Sequence, residues 1–285
     1  MSILKFPKLF RRVYDNQRIA VALAKAAAAA PLRRLDETDP LSWEFSGFSQ
    51  NGEDGIIDFL TRKLLSPNRY FIEIGASDGI ENNTAWLAIA RKYNGLMIEG
   101  SHPVSALAKK IIKKHSLGVE CLNLFVDSEN IAPLAEKAFY KNPDLFSLDI
   151  DGMDYYIAEA VLAQGFRPRI FALEYNSVFG PDKAVTVPYR KDFSHAKAHP
   201  SELYFGVSVA GWKRIMGKYG YQFVTVDSNG VNAFFINPAD FPAGFAAKLK
   251  GRPYEQNISQ LQKFRGPWEK QFAEISALPL VEIPL

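Results

Sequence analysis

A chain of 285 residues that is 47% hydrophobic and 23% charged can bury a substantial core, which excludes a disordered polymer. Its net charge is only +3, and the first 34 positions carry eight basic residues against Asp15 alone, so the remaining body is about −4 and a general nucleic-acid binder is excluded. A single cysteine, Cys121, excludes an internal disulfide, fits a reducing cytoplasmic setting, and reads as a buried inert thiol in the run "GVECLNLFV".

At the N-terminus, Phe6, Leu9, Phe10 and Val13 recur at helical spacing, with Lys8, Arg11, Arg12 and Arg18 available for the other side. The expectation is an amphipathic helix, either peripheral on an anionic membrane surface or packed on its own domain or on a second copy in a homo-oligomer. The following "IAVALAKAAAAAP" contains Lys25 and is far short of the roughly 20 apolar residues that cross a bilayer. It is also too alanine-rich for a signal peptide.

Beyond the polar break "RRLDETDP", residues 49–64 place Ile56, Ile57, Leu60 and Leu64 on one helical face. Ser49 or Asn51 is the candidate cap, and Glu53 and Asp54 suit a first turn. Strand and helix patterns then alternate: "RYFIEIG", "NNTAWLAIARKY", "GLMIEG", "SALAKKIIKKH", "GVECLNLFV", "IAPLAEKAFY", "DLFSLDID", "DYYIAEAVLAQG" and "PRIFALEYN". Such alternation, with nearly continuous apolar strands, predicts a parallel sheet covered by helices on both faces.

From Ser177 to Glu202 periodicity is lost, and the length predicts a functional loop or lid. A helix around "YFGVSVAGWKRIMGKYG" follows, then "YQFVTV", the turn "DSNG" and "VNAFFIN" as a hairpin. The fold class is therefore α/β, a doubly wound, seven-stranded and mostly parallel sheet closed by a C-terminal antiparallel hairpin. Tail helices are expected near 254–264 and 267–277. The organisation reads as a basic helical extension over 1–44, a Rossmann-like domain over 45–240 and a helical extension over 241–285.

The segment "FIEIGASDGIENNTAWL" breaks a strand with glycines and small polar residues, then resumes as a helix, an arrangement that suits an anionic or hydroxyl-rich ligand. It is not the dinucleotide fingerprint G-x-G-x-x-G. Glu73, Gly75, Ala76, Ser77, Asp78 and Gly79 instead resemble the first motif of S-adenosylmethionine-dependent methyltransferases, in which this loop receives the amino-acid end of the cofactor. Glu99, closing the second strand, can accept hydrogen bonds from both ribose hydroxyls, although a nicotinamide enzyme places an acid similarly. Turn glycines and capping by Asp78 are the bland alternatives.

In order, "FSQNGEDGIIDFL", "FIEIGASDG", "GLMIEGSHP", "SLDIDGMDYY", "ALEYNSVFGP" and "GVNAFFI" resemble the FkbM-type methyltransferase family over roughly 45–240. The resemblance implies S-adenosylmethionine as cofactor, a class I fold and O-methylation of a small-molecule or glycan hydroxyl. It also implies that Gln50 roofs the cofactor pocket, and Asp127 joins the cofactor set.

Asp149 and Asp151 are placed at the end of the fourth strand, and Glu174 and Asn176 at the end of the fifth, where doubly wound sheets bind ligands. Residues two apart share a side, so the four can converge, and Asp149, Glu174 and Asn176 could hold Mg²⁺ or another hard divalent cation, a scheme similar to catechol O-methyltransferases. Without metal, Asp149 or Asp151 is the candidate general base, and His195 in the long loop is a third. Helix capping is the competing account of Asp151 and Asp154. The expected activity is O-methyl transfer to a sugar, glycan or glycolipid hydroxyl; a non-catalytic binding module and an NAD(P)-dependent oxidoreductase are the alternatives.

Overall fold

The computed structural model describes residues 6–116 and 118–284, with side chains described from residue 14 onward. The expected apolar face of Phe6, Leu9, Phe10 and Val13, with Lys8, Arg11 and Arg12 opposite, lies outside those described side chains.

The sheet grows from five parallel strands, β1 (Tyr70–Ile74), β2 (Asn94–Glu99), β3 (Val119–Asn123), β4 (Leu145–Leu148) and β5 (Ile170–Glu174), and a hairpin of β7 (Gln222–Val226) and β8 (Asn232–Ile236). The strand order is β3-β2-β1-β4-β5-β8-β7, with β8 antiparallel to both neighbours. This is the class I methyltransferase fold. The order reverses between β1 and β4, so the ends of β1, β2, β4 and β5 open onto one crevice.

Alternation along each strand splits the core in two. Tyr70, Ile72 and Ile74 of β1 join α5 (Asp154–Ala163) and α7 (Val209–Lys218) on one face. Phe71 turns to the other face, where α1 (Phe6–Ala29), α2 (Glu53–Lys63) and α3 (His102–His115) contribute Ile19, Ile56, Leu60 and Ile112. The described half of α1 therefore packs on its own domain, burying Asp15, Ile19, Ala22 and Ala26 along one stripe. No helix among the described residues is long and apolar enough to cross a membrane.

Two expected helices differ in detail. After β1 the expected helix shrinks to a π-helical turn over Trp86–Ala90, opened by the Asn82 side chain, which accepts from the Thr84 and Ala85 N–H groups, and followed by Lys92 at φ 56°. The N-cap of α2 is Gly52 at φ 96°, not Ser49 or Asn51, although Ser49 Oγ accepts from the Asp54 N–H.

Residues 177–205 do not form a free loop. They contain β6 (Val185–Thr186) and α6 (His195–Ala198), and β6 pairs with β9 (Val281–Glu282) near the chain end. Phe179, Val187 and Leu203 pack with Ile275, Phe272 and Leu280 in a third apolar cluster. The tail, with α8 (Ile258–Phe264) and α9 (Trp268–Ala273), therefore shares its core with this insertion. Between β3 and β4 lies α4 (Ala132–Lys137).

Gly55 shows how tightly the opening of α2 is set: a Cβ there would lie 1.9 Å from the Trp43 carbonyl and 2.4 Å from the Phe45 nitrogen. Gly217, on the exposed side of α7, has open space. Gly55→Ala is expected to lower stability by about 3 kcal/mol through overpacking against backbone, whereas Gly217→Ala should raise it by about 0.5–1 kcal/mol by removing a helix-interior glycine. Urea unfolding of both variants checks the pair.

Candidate functional site

One cavity of about 660 Å³ opens at the carboxyl ends of β1, β2, β4 and β5. Its size suits a nucleoside-sized ligand with room for a second molecule. It is strongly acidic: Glu53, Glu73, Glu81, Glu99, Asp127, Asp149, Asp151 and Glu174 line it, against Arg190 and Lys191.

The loop after β1 is built by three left-handed residues, Gly75 (φ 92°), Ser77 (φ 48°) and Gly79 (φ 79°). A Cβ on Gly75 would lie 1.7 Å from the carbonyl oxygen of Asp149, so glycine is dictated by the crossing of β1 and β4 and not by a ligand. The N–H groups of Gly75 and Ala76 both donate to the Ile98 carbonyl at 2.9 and 3.0 Å, which prolongs the β1–β2 ladder into the loop. Glu99 then joins the two loops, accepting from the Ser77 N–H at 3.1 Å and the Ser101 N–H at 2.7 Å. It remains partly exposed on the cavity wall, where it can still accept from a diol.

Glu73 sits at the cavity floor, 1% exposed. It accepts from the Asn83 N–H at 2.9 Å and from the Thr84 hydroxyl, so it holds the returning segment of the loop in place. Burial raises its pKa to about 7, and these two donors limit the rise. Asp54, buried in the same half of the molecule, is likewise pushed up to about 7 by burial while it accepts from the Gly47, Phe48 and Ser49 N–H groups.

Of the loop candidates, Glu73, Gly75, Ser77, Glu99, Gln50 and Asp127 line the cavity, whereas Ala76, Asp78 and Gly79 do not. Asp78 turns outward: one oxygen accepts from the Ile80 and Glu81 N–H groups, and the other pairs with Arg18 of α1. Asp127 spends one oxygen on the Glu129 and Asn130 N–H groups and leaves the other 3.7 Å from Lys191.

The acidic cluster forms with one member exchanged. Asp149, Asp151 and Glu174 each bring an oxygen within 4.8 Å of the others. Asn176 stays outside, since its amide donates to the Leu203 and Phe205 carbonyls and its oxygen accepts from the Val178 N–H. The expected two-residue strand parity does not operate, because β4 ends at Leu148 and β5 at Glu174. Asp151 reaches the cluster through a left-handed turn (φ 53°), with its own N–H donated to Glu174 at 3.2 Å. Asp154 does not cap the following helix but opens it and braces the turn before it, accepting from the Ile150 and Gly152 N–H groups at 3.1 and 3.0 Å.

Burial, followed by the neighbouring carboxylates, holds Asp149 and Glu174 well above the ordinary range. Among the described residues no side chain donates to the Asp149 carboxylate. Three converging oxygens with mutual repulsion and no counter-cation form a donor set suited to a hard divalent ion.

His195 packs its ring against Phe205, 5.8 Å between centroids, and is not on the cavity wall. The other histidines are local: His102 contacts Asn123 and His199 contacts Ser201. Sequence reasoning missed the cavity-wall residues Tyr189, Arg190 and Phe193 and the tail residues Asn257 and Ser259. Only the aperiodic length of residues 177–202 hinted at the first group, and nothing local marked the second.

No family model matches the sequence, and no curated protein matches it. Solved structures do resemble the chain. An O-methyltransferase from Bacillus cereus in complex with SAH is 17% identical over 77% of this chain and 89% of that one, TM-score 0.42. The O-methyltransferase TomG from Streptomyces achromogenes, involved in tomaymycin synthesis and solved with SAM, is 15% identical over 74% and 93%, TM-score 0.41. A SAM-dependent methyltransferase from Aquifex aeolicus is 14% identical over 63% and 87%, TM-score 0.39. The fold stands on the strand order and not on these likenesses.

The elevated carboxyls have a measurable signature. Between the ordinary glutamate value of 4.5 and about 7, native Glu73 keeps a proton that the unfolded chain has released. Stability therefore falls as pH rises across that window, by up to about 1.4 kcal/mol per pH unit for each such group. Glu73→Gln should reduce the decline between pH 5 and 7, leaving the contributions of the other raised carboxyls, Asp54, Asp149, Asp154 and Glu174. Urea unfolding at pH 5, 6, 7 and 8 measures it, and an unchanged slope would contradict the assignment.

Proposed function

We propose that the protein is an S-adenosylmethionine-dependent O-methyltransferase acting on a hydroxyl of a sugar, glycan or glycolipid, with a divalent cation held by Asp149, Asp151 and Glu174. One observation carries this reading: Glu99, the loop after β1 and the acidic cluster open into the same cavity. The backbone contact of Gly75 with Asp149 makes the last two of these immediate neighbours.

The donor supplies an electrophilic methyl group on a sulfonium. Glu99 accepts from the ribose hydroxyls, and Ser77 and Gly75 line the wall beside the donor's amino-acid end. The acidic walls favour a ligand with positive charge. The acceptor hydroxyl lies on the cluster, between Met153 and the strap of Tyr189, Arg190 and Phe193, which offers aromatic surface for a sugar ring. A divalent cation, when bound, would be held by Asp149, Asp151 and Glu174 and would supply a lowered pKa and a fixed orientation to the hydroxyl. The C–S bond breaks, the C–O bond forms, and the hydroxyl proton leaves to solvent.

Ligands that bind only the native state raise its melting temperature. S-adenosylhomocysteine is expected to do so by several degrees and NAD or NADP not at all, while NAD(P) alone acting would replace this reading with an oxidoreductase. Donor binding without methyl transfer to any component of a host glycan extract would leave a binding module.

Asp149→Asn should abolish both Mg²⁺-dependent stabilisation and labelled methyl transfer, while S-adenosylhomocysteine affinity stays within about threefold. Transfer at an undiminished rate in chelator would remove the cation and leave Asp149 as a general base, a role worth about 10²–10⁴-fold.

A further inference from the structure

We infer that Arg18, on the N-terminal helix, is a positioning residue of the donor site, so that α1 is a working part of the site and not an appendage. This rests on the reading above. Arg18 lies 60 residues from the loop it serves and is only 24% exposed at its side chain. One nitrogen of its guanidinium pairs with Asp78, and the other lies 3.2 Å from Glu81.

Each partner also holds part of the site's edge, Asp78 the loop after β1 and Glu81 the cavity wall. Asp78 caps the turn through the Ile80 and Glu81 N–H groups, immediately after the left-handed Ser77 whose N–H is held by Glu99. Burial alone would raise the pKa of Asp78; the Arg18 guanidinium and those two N–H groups hold it below the ordinary value instead. Glu81 lines the cavity and accepts from the side chain of Gln50, also on the wall. A continuous chain thus runs from α1 through Arg18 and Glu81 to Gln50, at the rim opposite the acidic cluster.

The contact lies beside a groove of about 580 Å³ between the helix and the domain, lined by Tyr14, Val21, Lys25, Phe48 and Ile80. An exposed ion pair contributes about 0–1 kcal/mol, but this guanidinium is partly buried and shared by two carboxylates. Without it, the rim carries Asp78 and Glu81 with no cation, next to Glu99 on an already acidic wall. The rim then opens, and the donor loses a preformed edge.

The test is titration calorimetry of S-adenosylhomocysteine with wild type, Arg18→Gln, Arg18→Lys, Asp78→Asn and, as a control on the same helix, Lys25→Gln. The expected result is affinity at least tenfold weaker in Arg18→Gln and Asp78→Asn, partial recovery in Arg18→Lys, and no change in Lys25→Gln. In turnover, KM for the donor should rise by the same factor while kcat stays within twofold, a split that general destabilisation does not produce. Affinity in Arg18→Gln within twofold of wild type, or an equal loss in Lys25→Gln, overturns the inference and leaves the methyltransferase reading standing. A wild-type protein that does not bind S-adenosylhomocysteine overturns both.

Discussion

The site depends on one contact between main chains. Where β1 ends, Gly75 passes so close to the carbonyl of Asp149 that no side chain fits, and the chain leaves in a left-handed turn. This crossing fixes the loop after β1 against the end of β4. Because the strand order reverses there, no helix fills the space above, and the ends of β1, β2, β4 and β5 share a single cavity. A larger residue at position 75 would separate the loop from the acidic cluster before any ligand contact was touched.

Around that contact the molecule concentrates negative charge at considerable cost. Buried carboxylates are tolerated only when hydrogen-bonded, neutralised or paired. Glu73, Asp54 and Asp154 meet the first condition through backbone N–H groups, and each organises a local segment while doing so. Among the described residues Asp149 receives no hydrogen-bond donor and Glu174 accepts only the Asp151 N–H, so both stay open on the cavity wall beside like charge. That contrast separates scaffold acids from acids free for chemistry, which sequence spacing alone could not do.

The sheet was legible because parallel strands buried on both faces are written as apolar runs, and these survive any detail of packing. The candidate site was legible where it depends on strand ends: Glu73, Gly75, Ser77, Glu99 and Asp149 all fall on the cavity wall. It was less legible where the chain leaves the strands. Asp151 joins the cluster as strand parity expected, though through a positive φ beyond the strand, whereas Asn176, expected to converge by the same parity, leaves it to bond the Leu203 and Phe205 carbonyls. Asp78 looked like a ligand residue because Gly75 and Ser77 beside it line the cavity; its actual partner, Arg18, is written 60 positions away with no local pattern to announce it.

The same limit explains the insertion and the tail. Read singly, residues 177–205 lack periodicity and the last 45 residues look like separate short helices, since neither piece can bury an apolar face alone. Together they supply the two halves of a small core, with Phe179 and Leu203 from one and Phe272 and Ile275 from the other, and the β6–β9 pairing closes it. The strap that carries Tyr189, Arg190 and Phe193 onto the cavity is therefore anchored by the chain end. With α1 tied to the cavity rim through Arg18 and Glu81, the α1 helix, the insertion and the tail segments brace the walls of a cavity whose floor is made by the central strands. Substrate choice would then reside in the braces and chemistry in the floor, because the braces can vary without disturbing the β1–β4 crossing on which the acidic cluster depends.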